Sequence, residues 1–209
     1  MPKGEVGRGT TTNHVSGSAS VSHAASIAPS VRIWNFAQIR EHAVIGENTI
    51  IGSYVYIDSN VRIGRNCKIQ NRSLVYEPSL IEDDVFIGPG VTLTNDRNPR
   101  AVNESGKLKS EKDWAKVGVV IENGASIGAG AICVAPVRVG SWALVGAGSI
   151  VTKDVPAYAL VVGNPAKQIG WVGRKGFPLA MVSDGVFQCP ESMEQYALED
   201  GMLTKKETN

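Results

Sequence analysis

Residues 27–57 read IAPSVRIWNFAQIREHAVIGENTIIGSYVYI, and every sixth residue, Ile27, Ile33, Ile39, Ile45, Ile51 and Ile57, is isoleucine. The register runs back through Val21 to Val15 and forward through Ile63, Ile69, Val75, Ile81 and Ile87 to Leu93. These are fourteen branched aliphatics in succession. Residue types that fill roughly a quarter of an average chain do not fall this way by chance. Four positions on, the residue is small: Val31, Ala37, Ala43, Thr49, Val55, Val61, Cys67, Ser73, Ser79, Val85 and Val91. Glycine often follows the aliphatic directly, as at Gly46, Gly52, Gly64 and Gly88. After an interruption the register returns at Ile121, Ile127, Cys133, Val139, Val145 and Val151.

A period of six suits neither a helix, whose period is 3.6, nor one long strand, whose period is 2. It suits a short strand followed by a bend. The aliphatic and the small residue point inward, and glycine turns the chain where a Cβ would clash. Three such sides close a triangular coil of 18 residues, and stacked coils pair as parallel strands about 4.8 Å apart. Ile33, Ile51, Ile69 and Ile87 then form a ladder of like side chains. The expected fold is an all-β parallel β-helix of hexapeptide repeats. A β-sandwich, with turn signals every 8–12 residues, does not explain the fixed six.

Composition agrees. The 209 residues include 23 glycines, about 11% against a usual ~7%. Only 6% are aromatic while 43% are hydrophobic, so the core is built from small aliphatics. With 21 Lys+Arg against 20 Asp+Glu the net charge is +1, which argues against a nucleic-acid binder. No stretch approaches the ~18 apolar residues of a membrane span, and the N-terminus shows no apolar signal region. Cys67, Cys133 and Cys189 are an odd count at wide spacing, which suits a reducing cytoplasm.

Residues 1–14 read as a disordered leader, 15–172 as the β-helix and 173–209 as an extension with strand or hairpin character. Residues 94–116 leave the register, and ten of the 21 from Asp96 to Lys116 are charged. Such an excursion, without obvious structure of its own, is commonly functional, though a solvated loop is the plainer reading. Trp114 gives it an apolar anchor. Residues 157–172 read as a closing strand.

Two stretches carry a family resemblance. One is Asn66-Cys67-Lys68-Ile69-Gln70-Asn71 with Ser73 to Tyr76, then Thr94-Asn95 and Asn98-Pro99-Arg100. The other is Val145 to Pro156 followed by Gly163-Asn164-Pro165-Ala166-Lys167-Gln168-Ile169-Gly170-Trp171. Together they resemble the hexapeptide-repeat acyltransferases that N-acetylate nucleotide-linked 3-amino sugars. The nearest type is the UDP-2-acetamido-3-amino-2,3-dideoxyglucuronate N-acetyltransferases of surface-polysaccharide pathways. Arg72 and Asp96-Arg97 stand where such enzymes vary, which leaves the exact sugar open. The resemblance implies a left-handed winding, an exception to the usual right-handed crossover. It also implies a homotrimer, with acetyl-CoA in the groove between prisms.

The residues permit that chemistry. Around Ala129, Gly130, Ala147 and Gly148 small side chains leave backbone groups open to a pantetheine arm; the plainer reading is tight corners. Lys153 and Lys167 supply cations for the cosubstrate's phosphates, and the resemblance gives Asn164, Pro165, Ala166 and Lys167 its nucleotide end. An oxyanion-stabilising N–H is expected near Gly130 or Gly148. Gln70, Asn71 and Tyr76 are expected to line the nucleotide-sugar pocket, Tyr76 reading equally as an interface aromatic. The resemblance adds Asn98, and Arg100 offers a bidentate partner for a carboxylate or diphosphate or a loop ion pair.

A hydroxyl acceptor calls for a general base, most often histidine. Of His14, His23 and His42, only His42 is expected within well-formed coils, and its register points outward. An amine acceptor with a pKa near ~8 attacks a thioester unaided once it is oriented. Asn95 is the expected orienting residue, which the resemblance places beside the reacting amine; a turn-forming asparagine is the plainer reading. No metal is expected, because a γ-carbonic-anhydrase-like zinc site needs three histidines. A dTDP-3-amino-3,6-dideoxyhexose or a 4-amino sugar is the alternative substrate, and a non-catalytic scaffold the alternative class.

Overall fold

The computed structural model describes residues 14–110 and 112–206. The leader expected at 1–14 lies outside the described residues except for His14, which already stands in the first strand, His14–Val15. No helix among the described residues is long and apolar enough to cross a membrane.

Three parallel sheets form the sides of a triangular prism. The first face runs from His14–Val15 to Ala159–Gly163, where Ala166–Trp171 adds antiparallel at its end. The second runs from Ser20–Val21 to Ile150–Val151, the third from Ser26–Ile27 to Val137–Val139. Strands of two residues suffice because each pairs with the coil above and the coil below. Ile33 pairs with Ile51, Ile51 with Ile69, and Ile69 with Ile87, as the 18-residue coil requires. The ladder then passes from Ile87 to Ile127, so the excursion enters between second and third faces without breaking the stack.

The inward column is dry. From Ile33 to Leu93 every aliphatic of the register is at most 3% exposed, and the small column from Val31 to Val91 at most 1%. Each buried Ile or Val side chain contributes about 1.5–3 kcal/mol, which explains a stable prism with few aromatics.

The corners correct one expectation. The chain is turned three residues past the aliphatic, where φ is positive: Phe36, His42, Asn48, Tyr54, Asn60, Asn66, Arg72 and Asp84, then Gly90, Gly130 and Gly148. The glycines directly after the aliphatic have another role. A Cβ on Gly46 would stand 2.7 Å from the backbone of Gly64, and one on Gly128 2.5 Å from the amide of Ala147. They let coils approach each other; they do not turn the chain.

Three segments outside the regular coils have structure in a detail that the sequence reading left open. The closing strand is a hairpin, Ala159–Gly163 against Ala166–Trp171. The excursion has structure of its own, a bridge between Val102 and Leu108 closed by Asn103. The extension is a four-stranded antiparallel sheet, Ala180–Ser183 to Met202–Lys205, whose core of Cys189, Tyr196 and Leu203 packs with Tyr158 and Trp171.

Candidate active site

The corners between first and second faces stack into one ridge. Gly90 N donates to Asn71 O at 3.0 Å, Gly130 N to Pro89 O at 2.9 Å, and Gly148 N to Ala129 O at 2.8 Å. Gln70, Asn71, Ala129, Gly130, Ala147 and Gly148 are therefore brought together on this ridge. The hairpin tip continues it: Gly163 N donates to Ser149 Oγ at 3.1 Å, Asn164 and Pro165 form the tip, and Lys167 pairs with Val162.

The second residue of a corner carries an N–H that in several corners finds a side-chain acceptor. Ser53 N donates to Asn71 Oδ1, Arg65 N to Asp83 Oδ1, and Ser141 N to Glu122 Oε2, at 2.9–3.0 Å. At Ala129 and Ala147 the adjoining coils offer none, and both N–H groups stay unpaired among the described residues on an exposed edge. A Cβ built at Gly90, Gly130 or Gly148 meets nothing within 4 Å. The result is an open strip with free amide donors. It fits the carbonyls of an extended amide arm, and a developing oxyanion equally.

A second ridge joins second and third faces and carries Tyr76, Asn95 and Lys153. Asn95 lies two residues past the strand Thr92–Leu93, half-buried, its carbonyl accepting from Val117 N at 3.3 Å. Thr94 Oγ1 beside it accepts from Ala135 N at 3.0 Å, which fixes the strand exit. The Asn95 side-chain amide makes no hydrogen bond among the described residues. Tyr76 packs against Tyr56 at 5.5 Å.

Sequence reading missed Glu77, a hub of this ridge. It accepts from Asn60 Nδ2 at 2.8 Å, Ser59 Oγ at 3.0 Å and Lys116 Nζ at 3.0 Å. Lys116 closes the excursion, so Glu77 ties the loop's return to the prism beside Asn95. Burial pushes its carboxyl pKa up, yet the bonds from Lys116, Asn60 and Ser59 outweigh this and hold it below the usual value.

Asn98 and Arg100 belong to neither ridge. They line a concavity of about 650 Å³ within the excursion, with Asn103, Lys109 and Asp113. Arg100 makes no loop ion pair among the described residues; its Nη1 donates to the Pro99 carbonyl at 2.9 Å.

All three histidines stand in coils, correcting the expectation for His14 and His23. The outward side of a strand and the corner that follows belong to the coil as much as the inward register does. His14 pairs with Arg32 on the first face, and all three are exposed. Burial pushes the thiol of Cys67 up to about 11 and that of Cys133 up to about 12, so neither is a thiolate nucleophile near neutral pH. No cluster of three or more His, Cys, Asp or Glu is placed to hold a metal among the described residues.

Comparison with known proteins agrees with the repeat. The six-repeat bacterial transferase hexapeptide model matches residues 24–59 and 60–95, and the hexapeptide repeat of succinyl-transferase matches 118–153. These three blocks take in 108 of the 209 residues. The chain belongs to the hexapeptide-repeat acyltransferase family. With that family comes the left-handed winding.

Among its relatives is a dTDP-3-amino-3,6-dideoxy-alpha-D-galactopyranose 3-N-acetyltransferase of Aneurinibacillus thermoaerophilus. It is 40% identical over 87 residues, 41% of this chain and 44% of that one. A 2,3,4,5-tetrahydropyridine-2,6-dicarboxylate N-acetyltransferase of Staphylococcus aureus is 57% identical over 51 residues, 24% of this chain and 21% of that one. The chain thus spans less than half the length of these relatives. A solved hexapeptide transferase family protein from Anaplasma phagocytophilum shares the fold, with a TM-score of 0.51 and 21% identity over 79% of this chain and 86% of that one.

Proposed function

We propose that the protein moves acetyl from acetyl-CoA to the 3-amine of a nucleotide-linked amino sugar. The observation that carries this reading is the open strip, where unpaired N–H groups of Ala129 and Ala147 stand beside the bare corners Gly130 and Gly148. The strip takes the pantetheine amides, with Asn164, Pro165 and Lys167 at the nucleotide end. Lys153 stands across the second face and reaches the cosubstrate of a neighbouring prism.

Asn95 Oδ1 accepts an N–H of the neutral sugar amine and turns its lone pair toward the thioester carbon. As the C–N bond forms, an N–H of the strip takes the carbonyl oxygen's charge. The C–S bond breaks, and the departing thiolate takes the proton that the amine sheds. No histidine is required: His14 lies on the first face, and His23 and His42, both exposed, stand on the second ridge but three or more coils away from Asn95.

The acceptor read from the motifs is UDP-2-acetamido-3-amino-2,3-dideoxyglucuronate, for surface-polysaccharide synthesis. The name of the Aneurinibacillus relative favours a second reading, a dTDP-linked 3-amino-3,6-dideoxyhexose. The working form is a homotrimer in the cytoplasm, where three free, buried cysteines stay reduced. A thiol-release screen of UDP- and dTDP-linked 3-amino sugars tests this. Turnover with one of them, falling at least 100-fold in kcat for Asn95→Ala while the KM for acetyl-CoA holds, is expected. No thiol release from any of them overturns the reading.

A further inference from the structure

Four aromatic residues stand on positive-φ corners: Phe36 (φ 59°), Tyr54 (φ 59°), Trp142 (φ 60°) and Tyr158 (φ 61°). A bulky L residue is disfavoured in that conformation, so each is worth explaining. The extension accounts for two. Arg174 lies 4.3 Å over the Trp142 ring, and Tyr196 meets Tyr158 edge-on at 5.3 Å. Phe36 and Tyr54 have no such cover among the described residues. They stack on each other, centroids 4.9 Å apart and planes 24° apart, and remain 50% and 55% exposed.

Both belong to the ridge that carries the open strip, in one column of corner residues: Phe36, Tyr54, Arg72, Gly90, Gly130, Gly148. Read along the prism, the column offers an aromatic pair, then a guanidinium, then bare backbone. Arg72 makes no ion pair among the described residues; only its backbone N–H is engaged, with Ser53 O at 3.0 Å. Tyr54, Asn71, Arg72, Pro89 and Gly90 line one cleft of about 490 Å³. Coils are spaced about 4.8 Å apart, so Arg72 stands one coil from Tyr54 and one from Gly90.

We infer that this cleft is the nucleoside-diphosphate subsite. A nucleobase stacks on the Tyr54–Phe36 pair, Arg72 pairs with the diphosphate, and the sugar runs past Gly90 toward the strip. Base, diphosphate, sugar amine and thioester follow one another in the ligands in the same order as aromatic, cation, bare corner and free amide follow in the column. This assignment rests on the nucleotide-sugar reading above. It adds the contacts that hold the nucleotide independently of the sugar.

Titration of the full chain with UDP, dTDP and inorganic pyrophosphate tests it. The protein is expected to bind UDP or dTDP, and Tyr54→Ala to weaken that binding about 10-fold or more, as loss of a base–aromatic stack does. Tyr54→Phe retains it. Arg72→Ala weakens nucleotide and pyrophosphate alike, while Tyr54→Ala leaves pyrophosphate unchanged. Acetyl-CoA affinity and Tm stay near wild type in all three, which shows that the variants fold. Wild-type protein binding neither nucleotide overturns the subsite. So does unaltered nucleotide affinity in Tyr54→Ala and Arg72→Ala, or a Tyr54→Ala that dissociates the oligomer with affinity per subunit unchanged. The two readings fail separately. Amino-sugar turnover with KM unmoved by Tyr54→Ala sinks the subsite alone. Tyr54-dependent UDP or dTDP binding without thiol release from any amino sugar sinks the transferase reading alone.

Discussion

Ser79 and Ser73 occupy the same inward column, yet the prism treats them differently. Ser73 Oγ lies 2.8 Å from Gln70 O and 2.9 Å from Gly88 O, whereas Ser79 Oγ is buried with no partner. A buried hydroxyl left unpaired costs about 1–3 kcal/mol. Ser79→Ala is therefore expected to raise stability by about 1 kcal/mol, and Ser73→Ala to lower it by a similar amount, both read from urea unfolding midpoints. A lower midpoint for Ser79→Ala would refute the assignment. The sequence shows that both positions are small and inward, because period six alone decides that. Which hydroxyl finds a carbonyl depends on local backbone tilt, to which the period is blind. At Ala129 and Ala147 the small side chains did show that backbone is left open, but which N–H groups stay unpaired is decided by whether the adjoining coils offer an acceptor. Gly148→Asn keeps a residue that tolerates positive φ but fills the open strip. It is expected to raise the KM for acetyl-CoA at least 10-fold while Tm changes little, and an unchanged KM would remove Gly148 from the cosubstrate path.

Among the elements, the excursion is the one that links prism stability to the site. Its exit is held at Asn95 O by Val117 N, and its return by the Lys116–Glu77 pair, whose side chains are 31% and 15% exposed. The depressed Glu77 pKa means that the folded protein favours the ionised carboxylate. Its contribution is complete above the unfolded-state value of about 4.3 and is lost as pH falls through the lower folded value. Hydrogen-exchange protection of the Val117 amide, corrected for intrinsic pH dependence, should therefore fall as the medium is acidified below that range. Glu77→Gln should lower this protection already at pH 7 and flatten its acid dependence; a wild-type-like acid profile in the variant would contradict the tie. The charge density of residues 96–116 marked this segment as an excursion. Its fastening was not legible, since Glu77 and Lys116 are 39 residues apart and meet only because the loop rejoins the third face. The corners show the converse. Asn48, Asn60 and Asn66 at positive φ suit asparagine, but Phe36 and Tyr54 do not, so glycine frequency misled about where the chain turns.

For the whole molecule, the repeat made the prism and its 18-residue coil legible, whereas the distribution of the site over it had to be seen. Candidate residues that are near in sequence fall on different edges: Asn71 on the ridge between first and second faces, Tyr76 on the ridge between second and third. The second face lies between, a side of about six residues and roughly 15–20 Å. One prism therefore does not bring the Asn95 amide to its own strip at Ala129 and Ala147. If acetyl transfer occurs, the second ridge of one subunit must face the first ridge of another, as closed cyclic symmetry allows. Mixed oligomers test this directly. Asn95→Ala and Gly148→Trp subunits, each inactive alone, are co-expressed and the heteromers purified. A site is intact only where a Gly148→Trp subunit supplies Asn95 and its Asn95→Ala neighbour supplies the strip. In the proposed trimer every mixed ring, of either composition, holds one such interface out of its three, so about a third of wild-type kcat should return. A site contained within one prism would return none, and the geometry of the two ridges would then have been misread.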